Sequence, residues 1–427
     1  MTSQTTYVSR CVDSELDELL QSLPAISVEG AKGVGKTATA ARRAQTQYDL
    51  DAPGTLEIIQ AEPTGLLEGR EPILIDEWHR YPPSWDLVRR AVDKDSRSAR
   101  FLLTGSASPL LPGTHSGAGR IVTVRMRPLT LSERGLCKPT VSLGGLLRGE
   151  LTRIVGKTPI TLKHYLEEIM RGGFPGMRAT TGRASRAQLD GYLARIVDRD
   201  FPEAGRQIRN PATLRSWLVA YAAATATTCS YETIRDAATG GQSDKPAKTT
   251  TAPYRDTLAR LWILDPVPAW SPTRNYLARL NAAPKHHLAD PALAARLLGV
   301  TAGTLLSGEQ VGPPIPRDGT LLGSLFESLV TLSARVYAQS AEAAVHHLRT
   351  QGGDREVDLI VTRGDGRIIA IEVKLSAHVT DRDVRHLHWL RERLGPDLLD
   401  AVIVTTGSEA YRRPDGIAVV PAALLGP

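Results

Sequence analysis

"ISVEGAKGVGKTATAAR", residues 26–42, changes character in its middle. It begins as part of a short apolar strand, "PAISVEG", passes through closely spaced glycines, and enters an alanine-rich helical stretch, "KTATAARRAQTQY". A strand, a glycine-rich turn and a helix start, in that order, bring backbone N–H groups together around an anion. The turn fits the spacing G-x-x-x-x-G-K-[ST] with Gly30, Ala31, Lys32, Gly33, Val34, Gly35, Lys36 and Thr37. Its glycines let consecutive N–H groups wrap phosphates, and the helix N-terminus adds positive partial charge. Lys36 is expected to reach the β- and γ-phosphates of a nucleoside triphosphate, and the Thr37 hydroxyl to ligate Mg²⁺. ATP with Mg²⁺ is the expected ligand. A chance glycine turn would not require the strand before it or the helix after it.

Working outward, "EPILIDE" (residues 71–77) is a second apolar strand. Asp76 at its end is placed to hold the Mg²⁺ shell, and Glu77 to orient or activate a water for attack on the γ-phosphate. In "FLLTGSAS" a third strand ends at Thr104 and Ser106, polar side chains placed to sense that phosphate. Arg120, in "GAGRIVTVRMRPLTLSE", is a candidate arginine finger or nucleotide sensor at a subunit boundary, with a solvated surface arginine as the alternative. Strands alternating with helices over residues 20–150 predict a parallel α/β sheet.

The 427 residues exceed one ordinary core and suggest two to four domains. The apolar fraction of 41% is ordinary for a globular chain, and aromatics at 5% point to aliphatic cores. A net charge of +6 permits contact with nucleic acid without requiring it. Cys11, Cys137 and Cys229 are far apart, which signals neither a disulfide framework nor a zinc site. The first residues do not read as a secretory signal and no apolar run is long enough to span a bilayer. The expectation is a cytoplasmic protein.

From about 155 to 240 the apolar spacing is helical, in "LKHYLEEIMRGG", "RAQLDGYLARIVDRDF", "PATLRSWLVAYAAAT" and "SYETIRDAA". A polar loop, "TGGQSDKPAKTTT", then precedes a helix, "APYRDTLARLW", and an extended "ILDPVPAW". This string suits a winged helix-turn-helix with Tyr254 to Trp262 as recognition helix, and equally a small three-helix core. Arg183, Arg186, Arg195, Arg199, Arg206, Arg209 and Arg215 make the middle segment basic. Interleaved acids offer a salt-bridged helical face as the alternative to a DNA-backbone surface. The histidine pairs His286-His287 and His346-His347 read as surface or satisfied core residues.

Near the far end, "REVDLIVTRGDGRIIAIEVKLS" (residues 355–376) reads as two strands joined by a Gly-Asp-Gly turn. Asp358, Glu372 and Lys374 interrupt its apolar pattern, and unpaired burial of any of them is costly. Glu372 and Lys374 share a strand face. Asp358 lies fourteen positions before Glu372, across the turn. Two converging carboxylates form an oxygen-rich site suited to Mg²⁺ or Mn²⁺, with a lysine to neutralise charge on a phosphodiester. A salt bridge on a solvated sheet face is the competing reading.

The succession of "VEGAKGVGKT", "ILIDEWHRYPPSWDLVR", "FLLTGSAS", "GRIVTVRMRPLTLSE" and "GGFPGM" resembles a prokaryotic AAA+ ATPase family whose members carry a C-terminal domain of unknown function. The resemblance implies a P-loop AAA+ core over residues 1–150, a helical lid over 151–208, a winged-helix-like domain over 209–275 and an α/β nuclease-like domain over 276–427. The D-x13-E-V-K spacing resembles the PD-(D/E)xK core of restriction endonucleases, in which Glu327 takes the position of a further carboxylate from a preceding helix. The leading functional reading is an ATP-hydrolysing protein that binds nucleic acid, DNA before RNA, and carries a metal-dependent nuclease site made by Glu327, Asp358, Glu372 and Lys374. Two alternatives stand beside it: a nucleotide-controlled DNA-binding switch whose nuclease-like end does not cut, and an ATPase acting on a protein partner. A homo-oligomer is the family-level expectation.

Overall fold

The computed structural model describes residues 7–105, 117–150, 153–204, 210–239, 248–271, 282–307, 321–350 and 352–427. Among these, β1 (Ala25–Glu29), β2 (Thr46–Asp49), β3 (Ile73–Asp76), β4 (Phe101–Gly105) and β5 (Val122–Arg125) form a sheet in the order β2-β3-β4-β1-β5. All four neighbouring pairs are parallel. β1, β3 and β4 are buried throughout, as expected of parallel strands covered on both faces. The covering helices are α1 (Val12–Leu20), α2 (Lys36–Ala41), α3 (Pro53–Ala61) and α4 (Pro83–Lys94).

One expectation needs correction. The helix after the glycine loop was expected through residue 48, but α2 stops at Ala41 and Thr46–Asp49 form β2. The cause is pairing: Gln47 and Tyr48 sit opposite Leu74 and Ile75 of β3, and the half-buried alternation of this edge strand outweighs a weak helical run.

A connector carries β6 (Val141–Ser142), α5 (Leu143–Arg148) and β7 (Gly156–Lys157) before a helical middle. That middle contains α6 (Leu162–Arg171), α7 (Gly182–Arg195), α8 (Pro211–Ala223), α9 (Tyr231–Ala238) and α10 (Lys248–Arg260). A π-turn at Ile196–Asp200 extends α7. After α10 the chain makes isolated antiparallel bridges, Leu264 with Leu288 and Val267 with Lys285, and then the short strand β8 (Ala269–Trp270). The helices α11 (Pro291–Leu297), α12 (Ala302–Ser307) and α13 (Leu321–Ser340) lead to the last region.

There β9 (Ala344–Arg349), β10 (Glu356–Thr362), β11 (Ile368–Val373), α14 (Asp381–Leu394), β12 (Leu398–Thr405), β13 (Glu409–Arg412), β14 (Ala418–Pro421) and β15 (Leu425–Gly426) follow in turn. The order helix, hairpin, helix, strand runs as expected, with β9 inserted before the hairpin. The mixed sheet has the order β7-β13-β14-β12-β11-β10-β9-β8. Its two outer strands come from outside residues 276–427: β7 pairs with β13 and β8 with β9. β15 also pairs back to β6. One apolar cluster runs from Leu16 and Val28 through Trp217 and Leu293 to Ile371 and Val404, so the regions share a core.

Candidate functional site

The phosphate loop is held rigid from outside. Arg10, buried just before α1, donates to the Val34 carbonyl at 2.7 Å and the Arg127 carbonyl at 2.6 Å, and pairs with Glu133 at 3.0 Å. A Cβ on Gly30 would lie 2.1 Å from the Met126 carbonyl oxygen, so only glycine fits there. Gly33 and Gly35 adopt φ of 79° and 100°, in the left-handed region that favours glycine. Phe174, from the "GGFPGM" turn, packs over Gly33, and Lys32 pairs with Asp200 of the π-turn at 2.6 Å.

Lys36 is buried, and its Nζ donates to the carbonyls of Gly30 and Ala31 at 2.9 and 3.0 Å. Burial pulls its pKa down to about 8, with Glu77 and Asp76 pulling the other way. The Thr37 hydroxyl donates to Asp76 Oδ1 at 2.9 Å, and Thr104 Oγ1 meets the same oxygen. The expected threonine, strand-end aspartate and sensor threonine therefore converge. Their oxygens are a hard donor set suited to Mg²⁺, which Thr37 and Asp76 would hold. Glu77, in a left-handed turn at φ 52°, is pushed above the ordinary carboxylate range by burial, an effect that Lys36 partly offsets. His79 Nδ1 lies 3.3 Å from Glu77 Oε2. Burial lowers the imidazole to about 4, so it is neutral beside Glu77.

Two expected residues stand apart. Ser106 lies outside the described residues. Arg120 pairs with Asp93 of α4 at 2.8 Å, at the strand-start end of β5, whereas the phosphate loop follows the end of β1 in this parallel sheet. It is not part of the phosphate site of its own chain.

In the C-terminal region, Glu327, Asp358, Glu372 and Lys374 come together as expected. The pairing of Leu359 with Ile371 sets Asp358 and Glu372 opposite each other one position on. The β9–β10 register shifts between Val357 and Ile360, an irregularity that re-aims Asp358. Asp358 Oδ2 accepts from the Val373 N–H at 2.8 Å, and Lys374 Nζ meets Glu372 Oε1 at 2.7 Å.

Sequence reasoning missed the middle of this cluster. Lys285 Nζ sits 2.8 Å from Glu327 Oε1, 3.1 Å from Asp358 Oδ1 and 3.2 Å from Glu356 Oε1. Burial opposes the charge on Lys285, but the three acids hold its pKa well above normal. Burial, then Asp358, pushes Glu327 and Glu372 above the ordinary carboxylate range, an effect that Lys285 and Lys374 oppose. Burial alone would raise Asp358 too, yet Lys285 and Lys374 hold it below its usual value. Among the described residues, no set of three His, Cys, Asp or Glu side chains is disposed to hold a metal ion. Lys285 is already in contact with Glu327 and Asp358, and Lys374 takes one oxygen of Glu372, whose Oε2 is buried without a hydrogen-bond partner among the described residues. With an ammonium held between Glu327 and Asp358, the centre as it stands does not fit a divalent ion there. His286 is a core residue whose Nε2–H donates to Cys229 O at 2.8 Å, whereas His287 is buried with neither ring nitrogen hydrogen-bonded to a described residue, so it is a core histidine but not a satisfied one.

Residues 22–135 match the family described as an AAA domain. Residues 162–304 match a domain of unknown function (DUF8612), and residues 322–425 match another (DUF4143). Two uncharacterized proteins, from Mycobacterium bovis and Mycobacterium tuberculosis, are each 26% identical over 420 residues, covering 96% of this chain and 82% of the relative. The solved Walker-type ATPase PABY2304 of Pyrococcus abyssi aligns with a TM-score of 0.41 at 18% identity, over 69% of this chain and 97% of its own. No helix among the described residues is long and apolar enough to cross a membrane. With its phosphate loop, Thr37, Asp76 and Thr104 converging at the ends of a parallel sheet, the stretch 22–135 is a P-loop ATPase module of the AAA kind.

Proposed function

We propose that this protein is a cytoplasmic, Mg²⁺-dependent ATP-hydrolysing switch that binds DNA through its middle and C-terminal regions and does not cut it. The ATPase part is carried by the convergence of Thr37 and Thr104 on Asp76 beside Lys36 and Glu77. In the hydrolytic step, water bonds to the γ-phosphorus while the bond from that phosphorus to the β–γ bridging oxygen breaks. Glu77 accepts the water's proton, and its burial-raised pKa makes it a stronger base than an exposed carboxylate. Lys36 and the loop N–H groups stabilise charge on the departing diphosphate.

DNA is favoured as the partner by the succession α8, α9, α10 and the bridged segments 264–267 and 285–288, which suits a winged helix. Arg183, Arg186 and Arg195 are exposed on α7, while Arg199 and Arg215 are tied to Glu203 and Asp198. The non-cutting reading is favoured by Lys285 among the carboxylates. Arg120, on the surface beside Asp93, is the group offered to a neighbouring copy in a homo-oligomer.

The test combines ATP turnover, DNA retention and cleavage. Glu77→Gln is expected to keep ATP binding and lose roughly 10²–10⁴-fold in turnover. The protein should retard duplex DNA at low salt, with affinity falling steeply as salt rises. Plasmid and linear DNA should remain intact with Mg²⁺ or Mn²⁺, with and without ATP. Absence of DNA binding would leave an ATPase with a protein client, and cleavage lost in Asp358→Ala would establish the nuclease reading.

A further inference from the structure

We infer that Lys285 is the resident cation of the C-terminal carboxylate centre, an internal ammonium standing where a nuclease of this kind would hold a divalent metal. The inference deepens the non-cutting reading above, and it rests on the nuclease-like interpretation of Glu327, Asp358, Glu372 and Lys374.

The geometry is that of a filled site. An ammonium has three N–H donors. Lys285 donates to Glu327 of α13 at 2.8 Å and to Asp358 of β10 at 3.1 Å, and its charge is also paired with Glu356 of β10 at 3.2 Å. The lysine is 1% exposed, so water does not share its coordination. Its backbone is fixed as well: its N–H donates to Val267 O at 2.9 Å and its carbonyl accepts from Val267 N–H at 2.8 Å. A group anchored at both main chain and side chain belongs to the built structure and is not a passing occupant.

Charge points the same way. Mg²⁺ requires oxygens at about 2.0–2.1 Å and parts reluctantly with its water. To reach Glu327 and Asp358 it would have to enter beside an ammonium already in contact with both, in a buried place where like charges repel strongly. Displacing the lysine would strand its charge in the interior or break its backbone pairing with Val267. The second lysine, Lys374, is spent on Glu372 at 2.7 Å. The ammonium also ties the segment bridged to Val267 onto the helix and strand that bear the acids, a cross-link that a metal in a cutting site would leave open for substrate.

The test uses full-length, nucleotide-free protein and Mn²⁺ alone, read by paramagnetic resonance of the free ion. Wild type and Asp358→Asn are expected to take up the same amount of Mn²⁺. Lys285→Met, which keeps the side chain's bulk without its charge, is expected to gain one Mn²⁺ site that disappears again in Lys285→Met/Asp358→Asn. A wild-type site lost in Asp358→Asn overturns the inference. So does a folded Lys285→Met protein that takes up no more Mn²⁺ than wild type, since the acids would then not be a cation site without the lysine. Amine acetylation mapped by mass spectrometry provides a readout on wild type alone, should Lys285→Met not fold. Lys285 is expected to stay unmodified with and without Mn²⁺, and a several-fold rise in its modification on adding Mn²⁺ overturns the inference. ATP turnover and DNA retardation are measured separately, so their failure leaves these outcomes readable.

Discussion

Lys36 shows how far a single residue's environment sets its chemistry. Its ammonium is buried against loop carbonyls, and burial brings its pKa down to about 8. The charged form that attracts a triphosphate is therefore full below that value and is lost as pH rises through it. Binding of a fluorescent ATP analogue is expected to weaken by up to tenfold per pH unit above about 8, following the fraction of charged lysine. Lys36→Arg, which keeps its charge, should remove that limb even if its overall affinity is lower. A wild-type affinity flat from pH 7 to 9.5 would refute the assignment. Lys36 was legible because motif residues lie next to one another in sequence. Lys285 was not: its partners Glu327 and Asp358 are 42 and 73 positions away, and "PKHHLAD" has no spacing that marks a site. Arg10 was hidden for the same reason, since its partners Val34, Arg127 and Glu133 are brought to it only by the fold.

Among elements, the strands read best where they are buried on both faces. β1, β3 and β4 are continuous apolar runs, and each was placed from sequence. The edge strand β2 was not, because its evidence is its pairing with β3. The "GGFPGM" turn was quoted only as part of a resemblance, and the structure supplies its physical role. Gly173 donates to Asp290 at 2.7 Å and accepts from the Leu129 N–H at 2.8 Å. A Cβ there would lie 2.6 Å from the Leu129 carbonyl and 2.8 Å from its nitrogen, backbone atoms with little freedom to move. Gly173→Ala is expected to cost about 1–3 kcal/mol by forced overpacking. Because Phe174 rests over Gly33, the displaced turn should also weaken ATP binding. A melting temperature and an ATP affinity both equal to wild type would show that the turn yields without consequence.

At the scale of the whole molecule, the question is what makes an ATPase module, a helical middle and a mixed sheet behave as one body. Apolar burial is shared across all three, but the most specific junction is ionic. Asp265, buried just after α10, receives Arg125 at 3.0 Å, Arg127 at 2.8 Å and Arg335 of α13 at 2.7 Å. Burial alone would raise this carboxyl, yet the three guanidiniums outweigh it and hold the pKa far below normal. Arg125 ends β5 of the nucleotide sheet and Arg335 shares its helix with Glu327, so Asp265 joins the ATPase end to the carboxylate centre. The same bridged pair of segments carries Asp265 on one side and Lys285 on the other. Asp265→Ala removes the anion and leaves three buried or nearly buried cations together, a loss on the order of 3–5 kcal/mol by comparison with other broken buried ion pairs. The expected result is a clear drop in melting temperature, accompanied by faster acetylation of Lys285 as its supporting segment loosens. Asp265→Asn, which keeps the size and loses the charge, should fall on the same side of wild type. If both variants melt like wild type and Lys285 stays protected, the three arginines are solvated well enough without Asp265, and the regions are held together by the apolar core alone.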